Sequence, residues 1–275
     1  MLRWVQNFRW SSLLSDLKSK LTNDLPVPIC TPTATERCDL SRTRHHPTTC
    51  PCRVRLAKEA DSSDIVQFMQ GNVLHSEPLL RSLQVSTIPS QAVLLDYIRL
   101  LLRDSFTLLA LANGPPERIV GVAISRRSCP WDGKQLIERA DRTRCDQLRK
   151  LLYIWSIVET EPNLHRHFCT RCLFEIALLA TAIDSQRQGI GLHLTQRSLE
   201  LARDLGFQFA RMNCTCEYSS RVATKAGLEC HWTVAYHHLV DSAKQPVVLP
   251  DPPHTHIKVH AMALFPGLSI KSSCR

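Results

Sequence analysis

From residue 53 onward the chain alternates between short apolar runs and longer stretches whose apolar residues recur every three or four positions. "VRLA" (54–57) predicts a short strand. "DSSDIVQFMQGNVL" (61–74) predicts a helix capped by Asp61 or Ser62, and "SEPLLRSL" (76–83) continues it after a break at Pro78. "PSQAVLLDYIRLLLRDSF" (89–106) predicts a second helix with Ser90 as its cap. "TLLALA" and "IVGVAIS", joined by the turn "NGPPER", form a β-hairpin. Residues 128–170 are charge-rich, irregular and partly helical. "CLFEIALLATAI" (172–183) is the longest continuous apolar run and reads as a fully buried strand closed at Asp184-Ser185. A helix ending at Gly206 follows, then a strand "QFARMNC", a short helix "EYSSRVATKAG" stopped by Gly227, and strands "HWTVAYHHL" and "HIKVHAMAL". This order predicts an α/β (mixed α+β) fold: a twisted mixed sheet with helices on both faces.

Residues 1–52 follow a different pattern. Trp10, Leu13, Leu14, Leu17 and Leu21 recur at helical spacing among Arg9, Lys18 and Lys20, whereas residues 22–52 are rich in Pro, Thr, Arg and Cys and have no period. The chain therefore divides into a basic tail over 1–52, partly amphipathic helix and otherwise disordered linker, and a domain over 53–275 with a possible insertion at 128–170. Over residues 1–25 the helix reads as a mitochondrial presequence, a membrane-surface helix or a segment docked on the domain; Asp16 and Asp24 weaken the first.

Charge sharpens this division. Of the net +9, residues 1–58 contribute +6, from ten Lys/Arg against four acids. The basic excess sits in the tail and not on the domain, which argues against a nucleic-acid-binding fold. Twelve cysteines raise the possibility of a disulfide scaffold. However, the N-terminus has no continuous apolar leader and several cysteines lie within apolar runs, so reduced thiols and a cytoplasmic location are expected. No apolar run is fit to span a bilayer: Asp96, Arg99, Arg103 and Asp104 interrupt one, and 172–183 is too short.

The chemistry suggested by the pattern lies in "QRQGIGLHLTQRSLELARDLG" (186–206), where a buried strand feeds a Gln-x-x-Gly-x-Gly turn and then a helix. The first helical turn leaves N–H groups unpaired at the positive end of the helix dipole, and glycine lets an anion approach the backbone. Gly191 is followed by Leu192-His193, which excludes a P-loop, and a dinucleotide fingerprint needs a third glycine and an earlier strand. A plain strand-to-helix turn is the alternative. Leu192, Leu194, Leu199, Leu201, Ala202 and Leu205 form the apolar face of that helix. The cluster from His165 to Cys172 is too crowded, and lacks a distant second pair, for a zinc site. Cys50/Cys52 and Cys214/Cys216 have ordinary structural readings, and no metal is expected.

With these residues in place, the chain resembles the GCN5-related N-acetyltransferases (GNAT), and within them the insect-type arylalkylamine (dopamine) N-acetyltransferase branch. The resemblance spans roughly 53–265 and rests on Gln186, Gly189 and Gly191, on "HSEPLLRSL", on "CTCEYSSRVATKAGLECHWTVAY" and on "DPPHTHIKVHAMAL". It implies acetyl-CoA as co-substrate, with its pyrophosphate on Gln186, Arg187, Gln188, Gly189, Ile190, Gly191 and Leu192. It also implies backbone pairing of the pantetheine arm along Thr181, Ala182 and Ile183. Glu77 is then the general base, while Ser219, itself readable as a helix N-cap, and Thr215 are the hydroxyls near the departing thiolate. His254 falls in the amine-pocket segment, where a hydrogen-bonded structural role is the simpler reading. The implied reaction is direct attack of a small primary amine on acetyl-CoA in a ternary complex, by a monomer; dopamine, serotonin and tryptamine are the amines of that branch. Arg187 stands where a glycine is usual, Leu228 where a phenylalanine is, and Ala223 where much of the wider family has a tyrosine. These departures leave two alternatives: an acyl-CoA-binding protein without turnover, or a tail-driven membrane or interaction module.

Overall fold

The computed structural model describes residues 52–265, apart from 88, 89, 105, 115, 242 and 243. The helix, linker and targeting readings of the tail therefore lie outside the described residues, except that Cys52 opens the first strand. Among the described residues seven strands form one sheet: β1 (Cys52–Leu56), β2 (Leu108–Ala112), β3 (Ile119–Ser128), β4 (Leu173–Thr181), β5 (Phe209–Cys214), β6 (Glu229–Ala235) and β7 (His256–Ala263). Their order across the sheet is β1-β2-β3-β4-β5-β7-β6. Only β4 and β5 pair in parallel; every other neighbouring pair is antiparallel.

The helices are α1 (Ser62–Asn72), α2 (Pro78–Ser82), α3 (Ser90–Leu101), α4 (Asp132–Arg142), α5 (Asp146–Thr160), α6 (Leu164–His167), α7 (Ile190–Asp204) and α8 (Glu217–Lys225). Both sheet faces are covered, so the central strands carry apolar residues at successive positions instead of alternating with polar ones. Leu109, Leu111, Val122 and Ile124 face the core built by α1, α3 and α5. Leu108, Ala110 and Ala123 face α7, through Ile190, Leu194 and Leu201. No helix among the described residues is long and apolar enough to cross a membrane.

The structure departs from the sequence reading in several places. Residues 128–170, read as irregular and only partly helical, are mainly a pair of helices, α4 and α5. Leu148, Leu151, Leu152, Ile154, Ile157 and Val158 bury α5 on nearly all sides, which is why no amphipathic stripe marks it. The strand expected over 172–183 ends at Thr181, and Ile183 is 57% exposed in a 3-10 turn. That strand is not fully buried either: Ala177, Leu178 and Leu179 are half-buried. Asp61 is the N-cap residue of α1 as expected, although its carboxylate takes Arg55 and the Lys58 N–H and not an N–H of the helix. Leu205, expected on the buried face of α7, is exposed at the helix end. Gly206 (φ 78°) and Gly227 (φ 95°) do terminate α7 and α8 in the left-handed conformation.

Candidate active site

The first helical turn of α7 is held against the sheet by a close approach. A Cβ on Gly121 of β3 would lie 2.9 Å from both Ile190 Cγ2 and Leu194 Cδ1, so α7 sits closer than any other residue would permit. Gly189 is the N-cap of α7 and has φ 80°, a conformation that strains side-chain-bearing residues. Gly191 is different. A Cβ there would make only ordinary contacts, 3.6 Å to Thr181 Oγ1 and 3.7 Å to Leu179 Cδ2, so folding alone does not require a glycine. The first intrahelical bond runs from His193 N to Gly189 O, which leaves the N–H groups of Gly189, Ile190, Gly191 and Leu192 without an intrahelical acceptor. Gln186, Arg187, Gln188 and Gly189 are exposed, and Arg187 adopts φ 63°. The result is an open, positively polarised helix end suited to an anion.

This end stands beside a fork in the sheet. β4 pairs with β5 through Phe174–Ala210, Glu175–Arg211 and Ile176–Met212, and there the pairing stops. On its other side β4 stays paired with β3 as far as Thr181 opposite Gly121. The edge of β4 from Ala177 to Thr181 thus has no strand partner on the β5 side, an arrangement that can accept an extended amide-bearing chain. Two amides beyond it are already engaged: Ala182 N donates to Val120 O (2.9 Å) and Ile183 N donates to Asn72 Oδ1 (3.2 Å). Of the backbone positions implied there by resemblance, only Thr181 lies on the open strand.

Glu77 is the N-cap of α2: Pro78 follows it, and its Oε2 accepts from Leu80 N at 2.7 Å. Its Oε1 accepts from Thr215 Oγ1, also at 2.7 Å, so two residues 138 positions apart in sequence meet directly. Burial raises the Glu77 carboxyl above its usual range, against the opposing hydrogen bonds from Thr215 and Leu80. Tyr236 O–H donates to Thr215 O at 2.5 Å and fixes the backbone that carries the hydroxyl. Ser219 is placed differently. It lies in the first turn of α8, whose N-cap is Cys216 and not Ser219, and its Oγ donates to Cys216 O at 2.9 Å. It bonds to neither Glu77 nor Thr215. His254 accepts from Glu217 N through Nδ1 (3.3 Å) and stacks edge-on with Tyr218, a structural role at the start of α8.

No protein-family model and no curated protein sequence matches the chain. Among solved structures, arylalkylamine N-acetyltransferase 2 of Aedes aegypti superposes with a TM-score of 0.72 at 22% identity, over 78% of this chain and 99% of its own. An agmatine N-acetyltransferase gives 0.69 at 21% identity, over 78% and 99%. The fold is the GNAT fold. A Drosophila melanogaster polyamine N-acetyltransferase that forms N-acetylagmatine shares it as well, with a TM-score of 0.68 at 22% identity over 77% and 99%.

Within the GNAT fold this chain builds a cavity of about 90 Å³ at the fork, lined by Glu77, Thr215, Ala177, Leu178, Tyr97 and Trp155 among others. One end of it is a charged network that sequence reasoning missed. Arg126, Glu175 and Arg211 stand opposite one another across β3, β4 and β5. Glu159 of α5 accepts from Arg211 Nη1 at 2.6 Å, Asp132 of α4 accepts from Arg126 Nη1 at 2.6 Å, and Asn213 Nδ2 donates to Glu175 Oε1 at 2.8 Å. The available signal was a charge at an alternating position inside each buried strand, as in "CLFEIALLATAI", but its partners on α4 and α5 lay in the stretch read as irregular. His165 of the crowded His/Cys stretch engages Ser128 Oγ through Nε2 and Thr170 O through Nδ1. No metal-holding group of three appears among the described residues. Ala223 and Leu228 are buried in the core with Phe174 and Met212, so those two departures are packing changes away from the cavity.

Proposed function

We propose that this chain is an N-acetyltransferase that moves acetyl from acetyl-CoA to a small primary amine by direct attack in a ternary complex. One observation carries the proposal: the buried carboxyl of Glu77, held by Thr215 and Leu80, lines a cavity at the open fork of β4 and β5. Three features fit acetyl-CoA: the helix end at Gly189 to Leu192, the glycine at 191 that packing does not demand, and the unpaired edge of β4. When bound, acetyl-CoA supplies an activated thioester. Gln186, Arg187 and Gln188 would flank its pyrophosphate on the exposed side of the turn, and the amides from Gly189 to Leu192 would bond to it.

The acceptor arrives as an ammonium, which has no lone pair for attack. Glu77, ionised, takes a proton from it, and its raised pKa brings it closer to the acceptor than an ordinary surface carboxylate. Thr215 orients the carboxylate. Ser219 is the candidate for returning a proton to the leaving thiolate, which requires its hydroxyl to leave Cys216 O. Positioning of the two substrates supplies most of the rate.

A thiol-release assay with acetyl-CoA and a panel of amines tests this reading. Measurable acetyl-CoA binding by calorimetry without thiol release from any amine would leave the non-catalytic alternative in its place. Arylalkylamines are a second reading, favoured by the rings of Tyr97 and Trp155, whose centroids lie 5.4 Å apart on the cavity wall.

A further inference from the structure

The cavity that holds Glu77 does not end in the bulk of the core. On its far side is a second, larger hollow of about 300 Å³, between the C-terminal end of α3 and α4. Four residues line both spaces: Tyr97 and Leu101 of α3, Leu136 of α4 and Arg126 of β3. Residues that touch both sides make a wall one side chain thick. Tyr97 and Leu101 are four positions apart, so they stand one above the other on the same face of α3. Leu136 completes the wall from α4.

This wall is fixed in place. Leu101 is 7% exposed and Leu136 6%, and a close-packed interior does not take in extra methylenes without strain. Arg126 is held by Asp132 and Glu175, each at 2.6 Å, and swinging it aside would leave two buried carboxylates without their cation. Tyr97 packs on Trp155, with ring centroids 5.4 Å apart, and carries the Arg139 guanidinium 5.5 Å from its ring centre. Inside the wall about 90 Å³ remains for the substituent of an amine whose nitrogen sits at Glu77, less than the roughly 150 Å³ apolar cavity that admits benzene. Outside it Leu100 and Gln135 line the hollow and take no part in the cavity.

We infer that Tyr97, Leu101 and Leu136 set the length of the acceptor: by closing the cavity off from the hollow they hold it to substituents of a few carbons. Leu136 is the residue whose shortening joins the two spaces, since Arg126 is needed by its carboxylates and Tyr97 by its ring partners. This inference rests on the acetyl-transfer reading above and adds specificity-determining residues to it.

The test compares propylamine with octylamine, which share a reacting group and differ only in length. Thiol release with acetyl-CoA is followed for the wild type, for Leu136→Ala and for Leu100→Ala, with a thermal melt on each. The wild type should show kcat/KM at least about tenfold lower for octylamine, equivalent to about 1.4 kcal/mol, and the difference should appear in KM. Leu136→Ala should bring the two amines within about twofold of each other by lowering the octylamine KM. Leu100→Ala, which alters the hollow alone, should keep the wild-type ratio. A wild-type ratio near one overturns the inference and leaves acetyl transfer standing; this arm needs no variant. An unchanged ratio in a folded Leu136→Ala also overturns it, as does an equal change in Leu100→Ala. If Leu136→Ala does not fold, Leu101→Ala opens the same wall from α3 and is read in the same way. Thiol release with no amine of any length removes the acetyl-transfer reading itself.

Discussion

Thr215→Val removes the hydroxyl that donates to Glu77 Oε1 over 2.7 Å while keeping the branched shape of the side chain. Burial raises the Glu77 carboxyl and this bond opposes the rise, so its loss raises the carboxyl further. A hydrogen bond to a charged group contributes about 1.5 kcal/mol at the low end of its range, and about 1.4 kcal/mol corresponds to one pH unit. The variant should therefore ionise Glu77 about one pH unit higher. Since ionised Glu77 is the competent form, kcat/KM rises with pH through that ionisation. The acid limb of the profile should move upward by about one pH unit, with a roughly tenfold lower rate at its foot and convergence with the wild type above it. The assay is thiol release at subsaturating amine across the limb, with a thermal melt to confirm folding. Thr215→Ser should return the limb to its original place. A uniform fall in rate at every pH, with the limb unmoved, would refute the reasoning and assign Thr215 to another step.

Gly191→Ala should leave the fold as stable or up to about 1 kcal/mol more stable, because its Cβ meets only ordinary contacts and alanine favours helix. Acetyl-CoA binding by calorimetry should weaken all the same, and unchanged affinity would remove Gly191 from the cradle. Gly121→Ala should cost about 1–3 kcal/mol in chemical denaturation, since its Cβ would press on Ile190 and Leu194. Asp61→Asn should lower stability by about 1 kcal/mol at neutral pH, a value discounted for solvent screening of its bidentate pair with Arg55. That pair holds the Asp61 pKa down to about 2 in the folded state, so its stabilisation is present above about pH 4. The gap between variant and wild type should close as pH falls towards 2, and a gap that persists there would contradict the assignment.

Much of the scaffold was legible because periodicity is local. The hairpin of β2 and β3 and the helix stops at Gly206 and Gly227 follow from short stretches read singly. The phosphate-type turn was legible for the same reason. What escaped is what arises between segments. The end of β4–β5 pairing at Ile176 leaves no mark in "CLFEIALLATAI", which reads as uniformly apolar around one glutamate. That glutamate matters because Arg126 and Arg211 flank it in register, a relation visible only once three strands are aligned. Tyr236, read as an ordinary strand residue, is tied to Thr215 by a bond across 21 positions. The α5 helix was obscured by being buried on most sides, which removes the polar face that marks a helix.

The parting of β4 from β5 also makes the sheet mechanically divisible. One leaf runs from β1 to β4 and the other holds β5, β7 and β6, with a short seam joining them at Phe174 to Ile176. A chain laid in the gap bonds across both leaves, so occupancy splints them by mass action. Amide exchange should then slow together along Ala177–Thr181 and along the strand ends facing it, instead of at one site. Glu175 and Arg211 lie in the seam itself, next to the point where it opens, and Arg126 adjoins Glu175 on β3. The buried ion pairs of Glu175 are therefore also the pivot, and their strength sets how far the leaves can spread.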